Sequence, residues 1–69
     1  MKYNVYFRHS SSKETLLDTV EENDIYSVIK SFCDDHDFTI YYTRYWEKDG
    51  EKWYDVGSHT EFFIARSIQ

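Results

Sequence analysis

The sequence predicts an α+β fold: one antiparallel sheet of four to five strands with a single helix packed on one face, in the order β-β-α-β-β-β. Three observations predict it. Lys2–His9 alternates in the manner of a strand, with Tyr3, Val5 and Phe7 on one face and Asn4, Tyr6 and Arg8 on the other. Ile25, Val28, Ile29, Phe32 and Cys33 recur at helical spacing and form one apolar stripe. Asp49-Gly50 stands between two aromatic runs, where Asp-Gly favours a two-residue type I′ hairpin turn.

Each element follows in order. The first strand leads through a polar loop, Ser10-Ser11-Ser12-Lys13, to a second strand over 14–20. Adjacent Leu16 and Leu17 break the alternation of that strand. The helix comes next, with Glu21, Glu22 and Asp24 suited to the positive end of its dipole. Thr19-Val20-Glu21-Glu22 fits a capping box, and Asn23 is a rival N-cap. Asp34, Asp35 and Asp37 gather at the opposite end, where negative charge is unfavourable. A local rule broken there hints at function, or at a helix that stops near Cys33.

Residues 38–46 and 52–56 read as the third and fourth strands. A turn centred on Asp49-Gly50 pairs Lys48 with Glu51, Glu47 with Lys52, Trp46 with Trp53, Tyr45 with Tyr54 and Arg44 with Asp55. Three opposite-charge pairs and two aromatic pairs then coincide, and a slip of one residue loses most of them. Gly57-Ser58 ends or bulges the strand, and 60–68 forms the last one. The glycine leaves its phase open, with Phe62 and Ile64 competing against Phe63 and Ala65 for the core.

The chain has 69 residues and forms one domain over its whole length, 1–69. One cysteine, Cys33, excludes an intrachain disulfide, and no Cys/His cluster has zinc spacing. Stability therefore rests on the aromatics, which make up 20% of the chain. A free cysteine, the absence of a signal-peptide pattern and the absence of a long apolar run lead us to expect a soluble, cytoplasmic protein without a membrane partner. The net charge of −5 is unevenly spread: residues 14–37 hold eight acids against Lys30 alone and carry −7, leaving +2 elsewhere. This acidic band disfavours nucleic acid bound by phosphate neutralisation and permits a basic protein partner. It equally describes a solvated face that aids solubility.

One helix covers one sheet face, so the other is left open. Phe38 and Ile40 assign Ile40, Tyr42, Trp46 and Trp53 to the helix side. Tyr41, Tyr45, Tyr54 and Val56 then form a tyrosine-rich open face, extended by Tyr6. With Glu21, Glu22 and Asp24, the residues Tyr41, Tyr45 and Tyr54 are the candidate interaction surface. Tyrosine is enriched at binding hot spots, so the partner expected is another protein, and a homodimer is one version. Stacking of single-stranded nucleic acid on that face is the alternative, with Arg8, Lys52 and Arg66 as its candidate cations.

Chemistry is weakly encoded. Asp55-Val56-Gly57-Ser58-His59 contains Ser, His and Asp, but neighbours in a strand point to opposite faces and no nucleophile elbow is present. Asp55, His59 and Glu61 match no metal-ligand signature. His9 and His36 read as a strand-end residue and a helix C-terminal cation. There is no phosphate loop and no dinucleotide fingerprint. No cofactor and no catalytic residue is expected, and a small hydrolase or metal protein around residues 55–61 is the remaining alternative.

Asp55-Val56-Gly57-Ser58-His59-Thr60-Glu61-Phe62-Phe63, following Tyr45-Trp46 and Trp53-Tyr54, resembles small uncharacterised proteins encoded by phages and prophages of Gram-positive bacteria. The layout is similar through the first strand and the acidic helix. The resemblance implies a protein of the bacterial cytoplasm from a mobile element, and it brings no activity. Small acidic phage proteins often bind host proteins, which suits the acidic band.

Overall fold

In a computed structural model, residues 1–9, 13–58 and 60–68 are described. Five strands form one antiparallel sheet: β1 (Lys2–His9), β2 (Lys13–Glu21), β3 (Arg44–Lys48), β4 (Glu51–Asp55) and β5 (Glu61–Ser67). A 3₁₀ turn, Glu22–Asp24, leads into the helix α1 (Ile25–Asp35). The spatial order is β2-β1-β5-β4-β3, so the first and last strands are central neighbours. The expected α+β fold and element order are thus what the chain adopts.

The β3–β4 hairpin has the register that its charges and aromatics predict, from Lys48–Glu51 to Arg44–Asp55. Asp49 (φ 54°) and Gly50 (φ 79°) both take positive φ, as a type I′ turn requires. In β2, pairing shifts between Val5 and Tyr6 of β1: Val5 opposes Asp18, and Tyr6 opposes Leu16. Leu17 is the extra residue of a bulge. The bulge explains the adjacent leucines, because Leu17 packs against the core while Leu16 faces the other way and is exposed.

The core lies between the sheet and α1. Tyr3 and Val5 of β1 and Phe63 and Ala65 of β5 meet Ile25, Ile29 and Cys33 of the helix, with Val56 beside them. The phase left open by Gly57 is therefore settled for Phe63 and Ala65. Burial pushes the Cys33 thiol up, with Asp34 adding to the effect.

Two expectations about the helix are corrected. Thr19 stays in β2, where its hydroxyl donates to Asn4 at 2.6 Å, so the capping box does not form. The helix begins after Asp24, whose side chain makes no cap hydrogen bond. The helix also runs past Cys33 to Asp35. It closes in a Schellman motif, in which Phe38 N–H donates to Cys33 O at 2.8 Å and Asp37 N–H donates to Asp34 O at 3.5 Å. Asp37 takes φ 57° at the position where glycine is usual, and Phe38 folds back on Phe32 with ring centroids 5.8 Å apart.

The third strand begins at Arg44, six residues later than its sequence pattern suggests. Residues 38–43 run as irregular backbone, pinned where Tyr41 N–H donates to Val56 O at 3.0 Å. Phe38 and Ile40 do pack on the helix side. Period-two alternation does not carry through the irregular segment, however, so the face assignment of the hairpin inverts. Tyr45, Tyr54 and Val56 share the helix side, and Trp46 and Trp53 are on the open one.

Candidate interaction surfaces

The open face is built row by row from the strand registers. Leu16 opposes Tyr6, Tyr6 opposes Ile64, Ile64 opposes Trp53 and Trp53 opposes Trp46. These cross-strand neighbours make one apolar row over all five strands, spanning ~19 Å at the usual strand spacing. Ile64 at its centre is fully buried although no helix covers this face. Trp46 stacks with Trp53 at 6.1 Å, and Phe62 meets Trp46 edge-on at 6.0 Å.

Charged rows flank the apolar one. On one side, Arg8 opposes Glu14 and Phe62, and Arg44 opposes the buried Asp55. On the other, Arg66 lies over the Tyr6 ring at 4.9 Å, reaches across the apolar row to make paired hydrogen bonds to Glu14 at 2.6 and 3.0 Å, and reaches Glu51 as well. Hydrogen bonding to Arg66 holds the Glu14 carboxyl below the usual carboxylate range. Cations also lie over the indoles: Arg44 over Trp46 at 5.1 Å, and Lys48 and Arg8 over Trp53 at 5.1 and 5.7 Å. Lys48 makes no ion pair among the described residues.

The candidate residues read from sequence do not form one surface. Glu22, Tyr45 and Tyr54 gather at a corner around Lys52, whose ammonium lies 3.2 Å from the Tyr45 hydroxyl and 3.3 Å from both Glu22 and Glu47. The Tyr45 ring packs on Tyr54 at 5.2 Å. Tyr54 is half-buried against the core, and burial pushes its phenol up. Glu21 and Asp24 are exposed. Tyr41 stands apart, 74% exposed, with its Cβ end lying over Gly57. Sequence reasoning missed Trp46, Trp53 and Phe62 as surface residues. The signal for Trp46 and Trp53 was Tyr6, which shares their cross-strand row.

The segment after β4 is held by hydrogen bonds. Asp55 accepts from Gly57 N–H at 2.9 Å and from Arg44 at 3.4 Å. The Ser58 hydroxyl donates to Glu61, whose other carboxylate oxygen lies 2.9 Å from His9 Nδ1. The carboxylate thus separates hydroxyl from imidazole, and His9 cannot take the serine proton. His59 and the serines 10–12 lie outside the described residues. Among the described residues, no group of three or more His, Cys, Asp or Glu side chains is placed to hold a metal, and no helix is long and apolar enough to cross a membrane.

Two depressions accompany these surfaces. One, of about 550 Å³, lies between the helix C-terminus and the start of β5, with Asp37, Tyr41 and Glu61 among its walls. The other, of about 460 Å³, runs between β2 and α1. In comparison with known proteins, no family model matches the chain, and no curated protein or solved structure proves similar to it.

Proposed function

We propose that this chain is a non-enzymatic protein-interaction module that binds an acidic protein surface through the open face of its sheet. The observation that carries the reading is the apolar row from Leu16 to Trp46, capped by a Trp–Trp–Phe cluster and ringed by Arg8, Arg44 and Lys48. Tryptophan and arginine dominate binding hot spots when a water-excluding patch surrounds them. Arg8 and Arg44 are already paired with Glu14 and Asp55, so Lys48, without an ion pair among the described residues, is the cation that selects an acidic partner. The resemblance around residues 55–63 supports an origin in a phage or other mobile element. The partner is then a host or element-encoded protein of the cytoplasm.

Single-stranded nucleic acid is the competing occupant of an aromatic sheet face. One feature weighs against it. The cations over Trp46 and Trp53 occupy ring surface on which bases would stack.

The test is capture from bacterial lysate, uninfected and phage-infected, with and without nuclease, comparing the native chain with Lys48→Glu and Trp46→Ala. A stoichiometric protein that survives nuclease and is lost in both variants is expected. Identical capture by native chain and variants, capture that disappears with nuclease, or no capture from either lysate overturns the reading.

A further inference from the structure

We infer that the groove between β2 and α1 is a second docking site, which takes an extended, basic peptide segment added to the outer edge of β2. Three independent features converge there. The first is the edge itself: β2 is the outermost strand, so one side of its backbone pairs with no other strand of the chain. An edge next to a helix invites strand addition, in which main-chain hydrogen bonds supply affinity and alternate side chains enter a groove.

The second feature is the groove. Its floor is apolar, made by Leu17 and Val20 of β2 and Val28 and Phe32 of α1. The bulge creates it, because Leu17 and Asp18 together oppose Val5 and both turn to the helix side. The groove is shallow and open, about 460 Å³ in volume.

The third feature is charge. The rim carries Asp18, Asp24 and Asp35, with no cation among the lining residues. None of the three makes an ion pair among the described residues. Asp24 precedes α1 and Asp35 ends it, about 16 Å apart at the helical rise of 1.5 Å per residue. In an extended chain, positions i and i+4 share a face and lie ~13 Å apart. Long basic side chains close the difference. The occupant is therefore a strand with an apolar residue centred between two lysines or arginines at alternate positions. A second copy of β2 does not fit, because the exposed Asp18 and Glu21 repel their equivalents.

This site is separate from the open face, and the test keeps the two apart. A fluorescent heptapeptide with isoleucine at its centre, lysines two positions to either side and threonines elsewhere is titrated at low salt and followed by anisotropy. A peptide with glutamates for the lysines is the control. Asp24→Asn with Asp35→Asn is expected to weaken binding about tenfold, the loss of two surface ion pairs. Trp46→Ala is expected to leave binding unchanged. Amide exchange is expected to slow in the complex at the alternate β2 amides that point away from β1. Binding no tighter than the glutamate control, equal binding by the double variant, or no change in amide exchange along β2 overturns the inference. Loss of peptide binding in Trp46→Ala would assign the peptide to the open face and overturns it too.

Discussion

Replacing Asp37 by glycine is expected to stabilise this domain. Asp37 occupies the left-handed position of a Schellman motif at φ 57°. That conformation costs an ordinary L-residue ~1–2 kcal/mol, and aspartate somewhat less because its short polar side chain tolerates it. Its carboxylate also faces the negative end of the helix dipole, beside Asp34 and Asp35, a penalty of about 0.3–1 kcal/mol. Against this, glycine gains unfolded-state entropy worth roughly 0.4–1 kcal/mol. The balance is a gain of about 0.5–1.5 kcal/mol, or ~3–10 °C in Tm for a domain of this size. Thermal and urea unfolding followed by circular dichroism measure it. Two comparators divide the effect. Asp37→Asn removes the charge but keeps left-handed tolerance, so it should gain only the electrostatic part. Asp37→Ala removes the charge but pays the full conformational cost, so it should fall below the asparagine and glycine variants. A glycine variant less stable than native, or an alanine variant equal to the glycine one, would refute the reasoning.

Gly57→Ala should destabilise by about 2–4 kcal/mol in urea unfolding, because φ is +104° and a Cβ would stand 2.8 Å from that of Tyr41. Adding Tyr41→Ala should recover little of this, because the shortest clash is with the Tyr41 Cβ, which alanine keeps. Arg66→Met should cost roughly 1–2 kcal/mol at pH 7, with a loss that shrinks in acid. The sign follows from Glu14: its folded carboxyl titrates below the usual range, so its contribution is present above the unfolded value and fades as pH falls through the folded one. Urea midpoints between pH 7 and pH 3 check this, and a loss constant across that range would rule out the Glu14 linkage.

Most of the architecture was legible where local signals agreed with one another. The hairpin register was readable because Asp49-Gly50, three charge pairs and two aromatic pairs all demand the same alignment. The helix was readable from its stripe at Ile25, Ile29 and Cys33. The inverted faces have a single physical cause. Residues 38–43 look like strand by composition, but the Schellman turn at Asp37 and the anchoring of Tyr41 to Val56 hold them irregular, and alternation cannot be counted across them. Thr19 misled as a cap because it satisfies its hydroxyl across the sheet at Asn4, a contact between residues 15 apart in sequence. The bulge at Leu17 was visible only as a fault in the pattern. Of the candidate surface, Glu21, Glu22 and Asp24 fall where a charged helix entry is expected, whereas Trp46 and Trp53 depended on the irregular segment 38–43 and Phe62 on the phase that Gly57 concealed.

The central pairing of β1 with β5 bears on how the domain assembles. The two hairpins, β1–β2 and β3–β4, close over short distances in the chain and share no ladder with each other. Only β5 joins them, lying antiparallel to β1 on one side and to β4 on the other. Phe63 and Ala65, both fully buried, reach the core on that strand. During synthesis, the helix and both hairpins therefore emerge before the strand that makes them cooperative. Until it arrives, the inner edges of β1 and β4 are unpaired, and closure must join residues almost the whole domain apart. Such non-local closure places the chain among slower folders for its size. β5 is thus the keystone laid last, and the step that completes the sheet also seals its core.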